Sequence, residues 1–163
     1  MRTIFDLDGT LADITHRLHY ISIGYRKDWD GFFDACDDDK PVLPIIRLLK
    51  VLSSTGHHVC IWSGRSEKVR RKTIAWLNRQ GIFLNSPGEV RPGFSLDTPG
   101  TVQELRLRPE GDYRNDDILK REWLDEAKEQ GKAPVLVFED RGRVVDMWRE
   151  QGIFCCQVAP GTF

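Results

Sequence analysis

The sequence predicts an α/β fold: a three-layer α/β/α, Rossmann-like parallel sheet with helices on both faces. Short continuous apolar runs alternate with helical stretches, a glycine follows each helical stretch, and polar clusters sit just beyond the apolar runs. A strand buried on both faces reads as an unbroken apolar run, and these do.

The first strand is Thr3 to Phe5, leading into Asp6. Leu43 to Leu52 is the first core helix, stopped near Gly56, and VCIW (Val59 to Trp62) is the second strand. Glu67 to Asn78 is helical and stops near Gly81. Ile82 to Tyr113, rich in Gly and Pro and without clear periodicity, reads as a loop or small insert. Helix Asp116 to Glu129, stopped near Gly131, leads to strand Val135 to Phe138, and helix Val144 to Glu150, stopped near Gly152, leads to strand Ile153 to Val158. Glycine ends helices because it takes up the left-handed C-terminal turn without a side-chain clash.

With 163 residues the chain fits one domain spanning 1–163 and is large enough to bury a real core. Its 40% hydrophobic and 30% charged composition and net charge of -1 are ordinary for a globular protein, so charge alone names no partner. No apolar run approaches the ~18 residues of a membrane span, and MRTIFDLDGT lacks the apolar stretch of a secretory leader. A cytoplasmic protein without a membrane partner is expected. Cys36, Cys60, Cys155 and Cys156 show no CxxC spacing and read as reduced, mostly buried small hydrophobes.

Asp6 and Asp8 end the first strand in FDLDGT. Side chains two apart along an extended chain point the same way, so two carboxylates share one site. Like charges that close need a cation or a shared proton, and magnesium, a hard ion that takes carboxylate oxygens, is the natural partner. Gly9 lets the chain turn sharply and Thr10 can offer its hydroxyl. Asp-x-Asp-Gly alone suits an acidic turn or a calcium-like loop equally well. The preceding buried strand and the following Ala12 and Ile14 argue against an EF-hand, which needs further oxygen ligands and flanking helices.

DxDGT after an N-terminal strand resembles the first motif of the haloacid dehalogenase-like phosphatase superfamily, and the resemblance covers the whole chain. It implies Asp6 as nucleophile and Asp8 as general acid and base, working through an aspartyl-phosphate intermediate with Mg2+. Covalent catalysis of this kind splits one hard displacement into two easier ones. VCIW runs into Ser63, Gly64 and Arg65, matching the second motif, in which a hydroxyl and backbone N–H groups leading to a helix N-terminus hold a phosphoryl oxygen. Without the resemblance, Ser-Gly is more often a plain turn. Lys120, four residues after Asp116, corresponds to the third-motif lysine, although an Asp-to-Lys pair at this spacing also serves simply to support a helix. Glu139 and Asp140 stand where the family places its metal-binding acids. The family often has two Asp there, so Asp140 is the surer magnesium ligand, while Asp146, further along, reads as a surface residue.

FDLDGTLADITHR, WSGRSE, YRNDDILKREW and FEDRGRVVDMWREQGIFCCQVAPGTF further resemble the 3′-phosphatase domain of phage-type polynucleotide kinase-phosphatases. That resemblance implies a polynucleotide 3′-phosphatase acting on DNA or RNA ends, with Arg17, Arg65 and Asp116 joining Thr10, Ser63 and Gly64 as substrate-binding residues. Arginine suits phosphate through its planar fork of donors. The gaps where the superfamily inserts cap domains are short, so little or no cap is expected. No GxxxxGK[ST] phosphate loop occurs, so removal but not addition of phosphate is expected. Arg70, Arg71, Lys72, Arg106, Arg108 and Arg114 could track a phosphate backbone. Trp29, Phe32 and Phe33 read as core packing in preference to a base-stacking platform, and Trp76, Trp123 and Trp148 as core. A phosphatase of free nucleotides or other small phosphomonoesters is the nearest alternative. A binding module that has lost turnover is the third.

Overall fold

A computed structural model describes residues 1–22, 26–85 and 98–161. In chain order the strands are β1 (Arg2–Phe5), β2 (Ala12–Asp13), β3 (Lys40–Pro41), β4 (His58–Ser66), β5 (Phe83–Leu84), β6 (Thr101–Val102), β7 (Glu104–Arg108), β8 (Leu136–Arg141) and β9 (Phe154–Gly161). The α-helices are α1 (Trp29–Asp34), α2 (Leu43–Ser54), α3 (Arg70–Arg79), α4 (Asp116–Glu129) and α5 (Gly142–Glu150).

β7, β4, β1, β8 and β9 lie side by side in that order, and every neighbouring pair is parallel. The alternation of side chains along β1 and β4 divides the core in two. Phe5, Val59 and Ile61 pack with Ile46 and Leu49 of α2 and Trp76 and Leu77 of α3. Ile4, Cys60 and Trp62 pack on the other face with Leu119, Trp123 and Leu124 of α4 and Val144, Val145 and Trp148 of α5. Residues of opposite parity therefore face opposite helix layers, which is the three-layer arrangement that the apolar runs predict. Gly56, Gly81, Gly131 and Gly152, just past their helices, have φ between +65° and +79°, as the stop signals require.

Two expectations need correction. The stretch read as loop contains β7, an edge strand of the main sheet, as well as β5 and β6, which pair in parallel with each other; residues 86–97 of it lie outside the described residues. Leu105 and Leu107 of β7 enter the core while Arg106 points the other way, its guanidinium 4.9 Å from the Trp123 ring centroid and 5.7 Å from that of Trp62. Beyond VCIW, the strand continues through Ser63, Gly64 and Arg65 to Ser66, with a register irregularity against β7 between Ser63 and Ser66. The helix expected over Glu67 to Asn78 opens with a 3₁₀ turn at Glu67–Val69 and continues as α3 from Arg70.

After β1 the chain leaves the sheet and returns through the antiparallel pair β2–β3, with Asp13 opposite Lys40. Between these strands lie a 3₁₀ segment (Thr15–Ile21), α1 and a 3₁₀ turn (Ala35–Asp38), the helical excursion over the end of the sheet that carries Arg17 and Trp29.

Candidate active site

The carboxyl ends of β1, β4 and β8, the three central strands, bring the candidate residues together, at the position where open parallel sheets bind ligands. Phe5 pairs with Ile61 on one side and Phe138 on the other, so the residues that follow on all three strands emerge together.

Lys120, 2% exposed, reaches from α4 and donates to Asp6 Oδ1 at 2.5 Å and Glu139 Oε2 at 2.7 Å. Asp140 lies beside them, and one oxygen from each of Asp6, Glu139 and Asp140 can be chosen so that all fall within 4.8 Å of one another. Burial, then the Glu139 charge, pushes the Asp6 carboxyl upward against the pull of Lys120. Burial and then Asp6 push Asp140 up to about 7. Three buried carboxylates around one ammonium are short of positive charge, and hard oxygen donors in this grouping fit Mg2+. The backbone crowds Asp140: a Cβ on Gly9, whose φ is +89°, would fall 2.2 Å from Asp140 Oδ2. Thr10 is buried with its Oγ1 3.5 Å from Asp140 Oδ1.

Asp8 has different partners. Its Oδ1 accepts from Arg17 Nη2 at 2.8 Å, from Arg65 Nε at 3.0 Å and from Arg65 Nη2. Burial raises its pKa, but the Arg65 and Arg17 charges outweigh that and hold the carboxyl down to about 2. Its carboxylate is not in the acidic cluster, which among the described residues consists of Asp6, Glu139 and Asp140.

Both arginines are completely buried and held from behind by Asp39, a residue that the sequence does not single out. Asp39 accepts from Arg17 Nε at 2.7 Å, Arg17 Nη2 at 2.8 Å and Arg65 Nη2 at 2.6 Å. His16 Nε2 lies 2.9 Å from Asp39 Oδ1, and Trp76 Nε1 donates to the Asp39 carbonyl at 2.7 Å. Asp39 stands in an acidic run, DDDK, whose neighbours give no sign that one member is buried; its place just before β3 is what turns it inward.

Ser63 is buried, and its Oγ accepts from the Arg65 N–H at 3.2 Å. Gly64 backs onto Asp116: a Cβ there would fall 2.4 Å from Asp116 Oδ1. Asp116 receives hydrogen bonds from Arg108 Nη2 and Arg141 Nη1, so its carboxylate supports two further arginines of the same cleft. Arg108 also donates from Nε to the Gly64 carbonyl at 2.9 Å. Arg141 follows the metal-type acids in FEDR, and nothing in its sequence position alone marks it as part of the site.

Of the basic residues proposed to track a backbone, Arg108 and Arg114 line the cleft. Arg106 pairs with Glu126 and packs on tryptophans, Arg70 pairs with Glu67, and Lys72 donates to Asp34 Oδ1 at 2.7 Å. The aromatic reading also divides. Phe32 is core, 4% exposed, but Trp29 is 39% exposed and lines the cleft together with Phe33 and Asp8. Trp76, Trp123 and Trp148 are buried as expected, and Asp146 is exposed.

The family described as the polynucleotide kinase PNKP phosphatase domain matches residues 1–163. The chain belongs to this family of phosphatase domains, and with it to the phosphomonoester hydrolases. Among solved structures, a chain in the Pnkp1/Rnl/Hen1 complex is 30% identical, with a TM-score of 0.73 over 99% of this chain and 47% of its own length. A chain of the Pnkp1/Rnl/Hen1 RNA repair complex is likewise 30% identical, with a TM-score of 0.72 over 99% of this chain and 43% of that one. This chain therefore spans less than half the length of either. The class C acid phosphatase from Bacillus anthracis shares the fold at 19% identity, with a TM-score of 0.58 over 99% of this chain and 67% of that one. Among the described residues no helix is long and apolar enough to cross a membrane.

Proposed function

We propose that this domain is a magnesium-dependent polynucleotide 3′-phosphatase acting through an aspartyl-phosphate. The observation that carries the reading is the division of labour between two carboxylates two residues apart: Asp6 sits with Lys120 and the acids, Asp8 with the arginines. Asp6 attacks phosphorus, and Lys120 holds its carboxylate in position and offsets the repulsion between that carboxylate and the anionic phosphate. Arg17 and Arg65 are completely buried behind Asp8, so they reach the phosphoryl oxygens as their contacts with Asp8 open, and Ser63 and Gly64 supply a hydroxyl and a backbone N–H beside them. As the phosphate displaces the guanidiniums from Asp8 Oδ1, the pull that keeps Asp8 acidic weakens. Its carboxyl then takes up a proton from solvent, delivers it to the departing 3′-oxygen, and as carboxylate receives one from the water that hydrolyses the aspartyl-phosphate.

Asp6, Glu139 and Asp140 would hold Mg2+, which when bound neutralises carboxylate and phosphate charge. Asp8 belongs to the same proposed metal site by sequence, although its carboxylate engages the arginines. Asp116 serves substrate binding by holding Arg108 and Arg141, and Thr10 by fixing the loop after β1. The segment between β2 and β3 is short for a cap domain, which suits a polymer end as substrate, and a single domain over 1–163 suffices for the chemistry. Substrate ends from DNA or RNA both carry the required 3′-phosphomonoester.

The test compares phosphate release, with Mg2+ and with chelator, from a 3′-phosphorylated oligonucleotide, its 5′-phosphorylated twin and a 3′-mononucleotide, with Asp6→Asn as the blank. Preference for the 3′-phosphorylated oligonucleotide is expected. Equal or better turnover of the mononucleotide would move the function to small phosphomonoesters.

A further inference from the structure

The cleft in front of Asp8 has a composition that phosphate chemistry does not require. One wall is α1, which presents Trp29 and Phe33; the other is the 109–115 loop, which presents Tyr113, 86% exposed. Gly64 and Arg141 line the same cleft. Four basic residues, Lys68, Arg108, Arg114 and Arg141, stand among these rings, matched in number by the acids Asp8, Asp30, Asp112 and Asp116, and flat aromatic side chains flanked by arginines are a feature with which proteins stack nucleobases.

The wall is anchored to the reacting groups. Phe32 stacks under Arg17, whose guanidinium carbon is 4.2 Å from the ring centroid, and Arg17 Nη1 donates to the Phe32 carbonyl at 3.2 Å. Arg17 in turn touches Asp8 at 2.8 Å. Trp29 packs edge-on against Phe32 at 5.8 Å and nearly parallel to Phe33, at 27° and 5.9 Å, so the exposed Trp29 and the half-buried Phe33 are braced by a buried ring. Asp28 caps α1 by accepting from the Gly31 N–H at 2.9 Å. Lys68 ties the two walls together, 3.3 Å from Asp30 on α1 and 3.9 Å from Glu110 on the loop. The chain of contacts Asp8, Arg17, Phe32, Trp29 thus ties an aromatic surface to a carboxylate that lines the same cleft.

We propose that Trp29 and Phe33 form a stacking platform for the base of the nucleotide that bears the scissile phosphate, with Tyr113 facing it from the opposite wall. The inference rests on the phosphatase reading and adds a substrate class to it: the favoured phosphomonoester carries a planar base. Stacking makes no hydrogen-bonded readout, so the platform tolerates all four bases but not the lack of one.

Two 3′-phosphorylated oligonucleotides are compared, one ending in a normal nucleotide and one in an abasic tetrahydrofuran residue. Wild type should favour the base-bearing end on the order of tenfold in kcat/KM. Trp29→Ala and Phe33→Ala should bring that ratio close to one, and Trp29→Phe, which keeps a flat ring, should restore most of it. The Asp6→Asn protein is titrated in parallel with both oligonucleotides, so that binding is read without turnover. A ratio near one both in wild-type turnover and in binding to Asp6→Asn, or a ratio unchanged by Trp29→Ala, overturns the platform. Base-dependent binding that Trp29→Ala abolishes, with no turnover of either oligonucleotide by wild type, supports the platform and instead refutes the phosphatase reading.

Discussion

Arg17 grips Asp39 through both carboxylate oxygens, Nε to Oδ1 at 2.7 Å and Nη2 to Oδ2 at 2.8 Å, with both side chains fully removed from solvent. Arg65 shares the same carboxylate. Asp39→Ala would leave two buried guanidiniums with Asp8 as, among the described residues, their one remaining carboxylate partner, and breaking a buried pair in this way destabilises by about 3–5 kcal/mol. A chemical denaturation series should show that loss. Asp39→Asn, which keeps the shape but not the charge, should retain more stability while lowering kcat/KM through misplaced arginines. An Asp39→Ala protein as stable as wild type would show that Asp8 alone suffices to hold the pair.

Lys120 is the ammonium shared by Asp6 and Glu139. Burial opposes its charge, but Asp6 and Glu139 raise its pKa, so it stays protonated throughout the working range. Lys120→Met should lower kcat at least about 100-fold, the scale of losing one preorganised charge at a reacting centre. Lys120→Arg should not rescue it, because a planar fork cannot take the place of a compact ammonium between two carboxylates. Single-turnover phosphate release from the 3′-phosphorylated oligonucleotide reads both variants.

The two-faced apolar runs made the central sheet legible, since burial on both sides leaves no other composition for β1, β4 and β8. β7 escaped because it lies at the edge: Leu105 and Leu107 alternate with Arg106, whose charge is paired by Glu126 and whose stem is covered by tryptophans. At the site, the nucleophile, lysine and acids stand at strand ends or on a helix at motif spacing. Asp39 and Arg141 could not be read that way. Each acquires its position from a contact distant in sequence, Asp39 with Arg65 and Arg141 with Asp116, which a place in DDDK or adjacency to the metal-type acids does not disclose.

Gly9→Ala tests how tightly the turn after β1 is built. The backbone at φ +89° disfavours any side chain, and the added methyl would meet the Asp140 carboxylate, 2.2 Å from Oδ2. The left-handed penalty alone is about 1–2 kcal/mol. The clash acts on a candidate metal ligand, so Mg2+ affinity should fall along with stability. Isothermal titration with Mg2+ separates the two: a variant that is less stable but binds the ion normally would mean that Asp140 moves aside without consequence.

The acidic cluster and Asp8 bias stability towards opposite pH ranges. Asp140, ordinarily near 3.8, is pushed up to about 7, so the folded protein holds that proton more tightly than the unfolded chain. Its contribution is fully present below about pH 4 and is lost as the pH rises through 7. Asp8 is held down to about 2, so its contribution is present above about pH 4 and lost as the pH falls towards 2. In chelator, the melting temperature of wild type relative to Asp140→Asn should therefore fall between pH 4 and pH 8. Mg2+ binds the ionised carboxylates, so adding it should remove that decline and stabilise wild type most at the alkaline end, by an amount that grows with ion concentration. A wild-type advantage that is flat across this range in chelator, or a Mg2+ effect as large at pH 4 as at pH 8, would show that Asp140 is already ionised in the metal-free fold and that the cluster does not bind the ion through its carboxylates.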